Sequence, residues 1–310
     1  MVGNSYSMQG NVGALGGENL SGGSYDLGAG LIFAEMANTP SAPALSNDSS
    51  WYNKLKVTIN TAENSSDATY AVAISDDNWS TTEWVQDDYT VGADLGIEDF
   101  ENYTGIGGTA YIIGLVKSTG YRVKAKARHG VYTESPLSAS SAEASTVNIT
   151  LSFDLDISAS DEETAGPYSV AFGELTAGSV NTAANKVWVD LVTNAEMGGV
   201  VFVYDQNAGL KSTVSNYTIN AVSDNLTNLT EGFGLKGSSA AGGLSLVSPY
   251  NGSDENVGIV NTTIREIFSS GNDPVAAGRG SIFLKAKPSV TTPSANDYAD
   301  TLTIIAAASF

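Results

Sequence analysis

The sequence predicts an all-β chain: a short N-terminal ribbon followed by two β-sandwiches. Apolar residues recur at every second position in most segments, the period of half-buried strands. The 33 glycines come with abundant Ser, Thr and Asn and with few long runs of good helix formers, which points to many short strands joined by turns. At 310 residues, 42% of them hydrophobic, the chain can bury a full core and is too long for one small sandwich. Two folded units plus an extension follow.

Charge and cysteine content exclude whole classes of partner. Thirty-four acidic against 14 basic residues give a net charge of −20, which repels nucleic acid and anionic lipid. No cysteine is present, so there is neither a disulfide framework nor a thiolate metal site, as suits a secreted chain with no thiols to mis-pair. No apolar run approaches the roughly 18 residues of a membrane helix. The start, MVGNSYSMQG, lacks the charged-then-apolar layout of a signal peptide, so the chain reads as soluble or already processed, without membrane insertion.

Residues 1–36 hold a short repeat. Ser5-Tyr6-Ser7-Met8-Gln9-Gly10 recurs as Ser24-Tyr25-Asp26-Leu27-Gly28-Ala29, and the copies continue into Val12 and Ala14, and into Leu31 and Phe33. Two strands are expected, joined by the Gly-rich LGGENLSGG. A two-stranded ribbon has no second layer to bury its apolar face. Its apolar residues Tyr6, Met8, Val12, Tyr25, Leu27, Leu31 and Phe33 are therefore candidate assembly contacts.

NTPSAP at 38–43 is a linker, and residues 37–143 form the next unit. Leu55, Val57 and Ile59 alternate as one strand, Tyr70, Val72 and Ile74 as another, and Ile113 with Leu115 as a third. From Tyr121 the apolar or small residues Tyr121, Val123, Ala125 and Ala127 alternate with Arg122, Lys124, Lys126 and Arg128, the pattern of a strand with one buried face. The long connection 76–110 carries Trp79, Trp84 and Tyr103, and is expected to hold an extra strand and an extended loop.

The lead-in Gly114-Leu115 to Thr119-x-Tyr121, the alternating strand, and Glu134-Ser135-Pro136 together resemble the F and G strand region of fibronectin type III domains. The resemblance extends back over the rest of 37–143, with Ile59 nearest the place where that family carries a strand-B tryptophan. It implies a single sandwich in which Tyr121 turns the corner between two strands and hydrogen-bonds to upstream backbone. Together with the Ser-Tyr-x-Leu/Met repeats ahead of it, this unit resembles part of an uncharacterised class of secreted bacterial surface proteins.

Residues 144–310 read as a second, larger sandwich. Val147, Ile149, Leu151, Phe153, Leu155 and Ile157 alternate, and further strands are expected at 168–172, 187–191, 199–204, 217–222 and 282–287. In the closing stretch 298–310, Leu302, Ile304, Ala306, Ala308 and Phe310 share a face. The Tyr-x-Asp-Thr-Leu-Thr of this last strand resembles the terminal strand of secreted pilin-like and spore-coat-type β domains.

Little catalytic chemistry is legible. His129 is the one histidine, at a strand end beside Gly130, and no Gly-x-Ser-x-Gly elbow accompanies it. Asp154 and Asp156 point to the same side of their strand, with Asp161, Glu162 and Glu163 in the loop that follows. Such hard oxygen donors are what Ca²⁺ uses, yet the glycine of an EF-hand-like turn is absent, and an exposed acidic edge that discourages strand pairing accounts for them as well. No metal and no cofactor is assigned. The row Arg122, Lys124, Lys126, Arg128 reads either as a solvated strand face or as a docking face for an acidic neighbouring subunit or polyanionic glycan. Among the Asn-x-Ser/Thr sequons, Asn64, Asn78, Asn102, Asn216 and Asn228 are candidate glycosylation sites.

The expected function is a structural one, with no enzymatic activity. The chain would be a subunit of an extracellular cell-surface filament or layer, a homopolymer assembled by strand exchange between its N-terminal ribbon and a neighbour's sandwich. The alternative is a secreted adhesin or glycan-binding module with Trp79, Trp84 and Tyr103 as an aromatic platform.

Overall fold

The structure, a computed structural model, describes residues Leu20–Gly22, Tyr25–Leu27, 37–130 and 133–310. Strands take up 41% of the chain and helix 1%, so the all-β class holds. The chain divides into two compact units, Met1–Asn148 and Ile149–Phe310. No helix among the described residues is long and apolar enough to cross a membrane.

In the N-terminal stretch β1 (Leu20–Gly22) pairs antiparallel with β2 (Tyr25–Leu27), Leu20 opposite Leu27 and Gly22 opposite Tyr25. The sequence places Leu20–Gly22 in a connecting loop, but here they form a strand. Tyr25 and Leu27 lie on β2; Tyr6, Met8, Val12, Leu31 and Phe33 fall outside the described residues.

The first unit continues with β3 (Ala44–Ser46), β4 (Leu55–Thr58), β5 (Thr69–Ser75), β6 (Glu83–Val85), β7 (Val91–Gly92), β8 (Glu101–Asn102), one helical turn α1 (Tyr103–Ile106), β9 (Tyr111–Ile112), β10 (Gly120–His129), β11 (Thr133–Glu134) and β12 (Ala144–Ser145). A three-stranded sheet, β3-β4-β9, encloses a core with a larger one, β11-β10-β5-β6-β7, to which β8 and β12 add at β5 and β10. Leu55 and Val57 meet Tyr70, Val72, Ile74 and Val123 there. The strand expected at Ile113 and Leu115 ends at Ile112; Leu115 is buried, with its N–H on Asn53 O (2.8 Å).

Tyr121 hydrogen-bonds to backbone upstream of it. Its buried hydroxyl accepts the Val116 N–H at 2.9 Å. The outer edge of β10 is closed by serines. Ser135, Ser138 and Ser141 each donate N–H to Ala127, Ala125 and Val123 carbonyls, and their Oγ atoms accept the N–H groups of those same residues at 2.9–3.0 Å. Pro136 bars a regular strand, and hydroxyls every third residue satisfy the edge instead. Residues 144–148, read from sequence as the start of the second unit, belong to the first: β12 pairs with β10, and Val147 N–H reaches Trp51 O.

The second unit comprises β13 (Leu151–Ser158), β14 (Asn181–Thr182), β15 (Lys186–Thr193), β16 (Gly199–Asp205), β17 (Gly209–Ser212), β18 (Tyr217–Asn220), β19 (Gly232–Ala241), β20 (Ser245–Leu246), β21 (Arg265–Ser269), β22 (Val275–Lys287) and β23 (Leu302–Ala308). One sheet runs β13-β15-β22-β14 with β19 on β22, the other β20-β21-β16-β23. Val189, Leu191, Phe233, Leu235 and Ile282 of the first pack on Val201, Val203, Ile267 and Phe268 of the second. The strand expected at 168–172 does not form, and this stretch pairs with no strand among the described residues.

Candidate functional site

The second sandwich is open along one side. β13 and β23 are the terminal strands of their sheets, each paired on one side only. Core-facing Phe153, Leu155 and Ile157 of β13, and Leu302, Ile304 and Ala306 of β23, are only half-buried although they pack on the core. Between these edges lies a cleft of about 990 Å³, floored by Val187, Leu210, Ile219, Phe233 and Leu284. Residues 168–175 cover part of it. Val170, Phe172 and Leu175 dip towards the core, and Phe172 stands edge-on to Phe233 with centroids 6.4 Å apart. This cover has the alternation of a strand without a strand's ladder: the polar residues between its apolar ones remain at the surface, and no strand among the described residues pairs with it.

At the rim, Asp205 ends β16 and Asp300 precedes β23 by two residues. Asp205 is fully buried; its Oδ1 accepts the Ala208 N–H (2.7 Å), while Asp300 Oδ1 accepts from Asn207 Nδ2 (3.0 Å) and Thr301 N (2.7 Å). The other oxygen of each, Oδ2, is buried with no hydrogen-bond partner, and the two carboxyl groups lie within hydrogen-bonding reach of each other. Burial first, then the adjoining Asp300 carboxyl, pushes Asp205 up to about 7. Sequence reasoning missed this pair, because 95 positions of unremarkable chain separate two aspartates that only the β16–β23 register joins.

Asp154 and Asp156 do meet a third carboxylate, that of Asp190, all within 4.8 Å of one another. The register aligns Asp154, Asp190 and Arg279 across β13, β15 and β22. The Arg279 guanidinium bonds Asp156, Asp161 and Asp190, and its other neighbour is the Trp188 ring at 5.2 Å. A cation from the chain thus already sits among these acids. Burial nevertheless raises Asp190 above the usual carboxylate range, against the pull of Arg279, and Asp156 and Asp154 raise Glu163.

The basic row of β10 is engaged rather than free. Arg122 pairs with Glu143 (3.3 Å), Lys124 stacks on Trp79 (4.0 Å), and Lys126 pairs with Glu134 and lies over Trp84 and Phe100. Arg128 is buried over Phe100, with Nε donating to Gly130 O. Ala71 and Ala73 stand opposite Lys126 and Lys124, and Ala73 also faces Trp84. Those small residues let long side chains from both neighbouring strands fold over β5, burying its outer face. Of the row expected either as a solvated face or as a docking face, Arg122 and Lys126 have carboxylate partners, while Lys124 and Arg128 lie over aromatic rings. The expected aromatic platform also divides, since Trp79 and Trp84 cover the lysines whereas Tyr103 packs on Tyr70. His129 bonds Asp67 at 3.3 Å.

Of the sequon asparagines, Asn64 uses its side chain on Asn38 and Thr61, and Asn102 caps α1. Asn78, Asn216 and Asn228 are exposed, the first two at left-handed turn positions. No protein-family model matches this chain, and no curated protein matches it.

Proposed function

We propose that this chain is a structural subunit of an extracellular surface filament or layer, in which the N-terminal segment of one copy completes the second sandwich of the next. The observation that carries this reading is the apolar cleft between two edge strands, β13 and β23, each with one side open. Such an opening offers both a ladder of backbone groups and pockets for alternate side chains, the two requirements of strand addition. The segment 25–33 fits it by sequence: Tyr25, Leu27, Ala29, Leu31 and Phe33 fall on one face of an extended chain. Its nine positions match the seven of β23 and the eight of β13. The residues 168–175 that cover the cleft form no ladder, so an arriving strand exchanges an unladdered cover for a hydrogen-bonded one. The first unit supports a surface-protein context through its three-stranded and larger sheets and its Tyr121 corner, which are in keeping with a fibronectin type III-like module. Its serine-closed β10 edge leaves that strand unavailable for addition.

The test is deletion of residues 1–36. Both sandwiches stay folded by hydrogen exchange while polymerisation, followed by negative-stain microscopy and sedimentation, is lost; a free peptide of residues 24–34 caps wild-type polymers. Wild type that remains monomeric at high concentration removes the reading.

A further inference from the structure

We propose that residues 164–176, between β13 and β14, are a hinged strap that occupies the acceptor cleft of a free subunit and restrains assembly by competing with the incoming strand. This control rests on the assembly reading above and deepens it.

Both ends of the strap are fastened by polar clamps. Thr164 donates its N–H to Oδ1 of the fully buried Asp156 (2.7 Å), and just before it Asp161 pairs with Arg279. At the far end, Asn181 of β14 accepts the Thr176 N–H on Oδ1 (2.9 Å) and donates from Nδ2 to the Thr176 carbonyl (3.1 Å). Between the clamps the strap is held by packing alone. No backbone N–H or C=O of residues 168–175 is hydrogen-bonded to a described residue, whereas Val170, Phe172 and Leu175 rest half-buried on the core. Those three side chains also underfill the site, since a cleft of about 990 Å³ stays open with the strap in place. A segment seated by side chains without a ladder is among the least costly parts of a fold to open.

The clamps leave it room to do so. β14 follows the line of β15 along β22, because β19 holds the other side of β22 at Ala286. Asp156 faces Trp188 and through it Ser281, while Asn181 faces Ala286, so the clamps stand one strand spacing apart across the sheet and five residues apart along it, roughly 20 Å. The 12 residue steps from Thr164 to Thr176 extend to about 40 Å. The middle of the strap therefore lifts out with both clamps closed. Its Tyr168, Val170 and Phe172 alternate as Tyr25 with Leu27 and Leu31 with Phe33 do, so strap and donor offer the same kinds of side chain to one set of pockets. A cleft open in only a fraction of subunits binds its donor with an affinity reduced by that fraction, which makes the seating of the strap the control on assembly.

The experiment uses the full-length chain, diluted until monomeric, and a fluorescein-labelled peptide of residues 24–34 read by anisotropy. Phe172→Ser loosens the strap and is expected to tighten peptide binding about tenfold. In Val170→Cys the introduced thiol is the only one in a chain without cysteine, and it is expected to react with a maleimide several-fold faster once the peptide is saturating. Binding to Phe172→Ser with none to wild type also supports the strap. Peptide that binds both proteins alike, or binds Phe172→Ser more weakly, overturns the strap and leaves the assembly reading standing. A thiol rate that the bound peptide does not change has the same meaning, because the donor then adds without displacing the cover. Peptide that binds neither protein overturns both. Should Phe172→Ser fail to fold, Leu175→Ser takes its place with the same expected tightening.

Discussion

Replacing Asp205 by Asn removes a buried titrating carboxyl, and the consequence is a change in how stability depends on pH. Asp205 titrates near 3.8 when unfolded and is raised to about 7 in the fold, chiefly by burial. A raised folded value means that the native state binds more protons than the unfolded chain through this window. The stabilisation is fully present below the unfolded value and is lost as pH rises through the folded one. A shift of about 3 units at ~1.36 kcal/mol each bounds the loss at about 4 kcal/mol between pH 4 and pH 8. The second unit of wild type should thus lose up to about 4 kcal/mol over that range from this source alone. Asp205→Asn should not, so the difference between variant and wild type moves steadily in the variant's favour as pH rises. Urea unfolding read by hydrogen exchange on β15, β16 and β22 separates this unit from the first. A difference that stays flat from pH 5 to 8 would refute the raised Asp205 carboxyl.

Other substitutions probe the remaining packing claims. Tyr121→Phe leaves the Val116 N–H of a part-buried bond without its acceptor and should cost the first unit about 1–3 kcal/mol in denaturant unfolding. Ser138→Ala should cost a similar ~1–3 kcal/mol, because Ala125 N–H loses its partner on the serine-closed edge. Arg279→Met strands the fully buried Asp156 without a counter-ion, and a loss of about 3–5 kcal/mol in the second unit is expected. An unchanged midpoint in any of the three removes the corresponding contact from the account.

Much of the architecture was legible because alternation is a local signal. β10 repeats buried and half-buried residues as the Tyr121–Arg128 pattern requires, and β4, β5, β15 and β16 fall where their apolar residues alternate. β19 was not legible, since its glycines hide the period. Gly234 and Gly237 lie so close to Val257 and Leu246 that a Cβ would stand 2.6 and 2.4 Å from those side chains, a demand set by a neighbour distant in sequence. The stretch 168–172 failed in the opposite sense: its alternation is real, but a strand needs a partner edge, and none accepts it.

For the sites the division is sharper. The sequence by itself determined the class of the fold, the acidity, the absence of thiol chemistry and the gathering of Asp154 with Asp156, all properties of composition or of neighbours two positions apart. Only the tertiary structure decided that Arg279 enters that acidic group, that aromatic rings and Glu143 and Glu134 occupy the basic row, and that β13 and β23 leave a cleft between them. Each depends on which strands become neighbours and in what register, and that choice rests on long-range pairings which no short window of sequence contains.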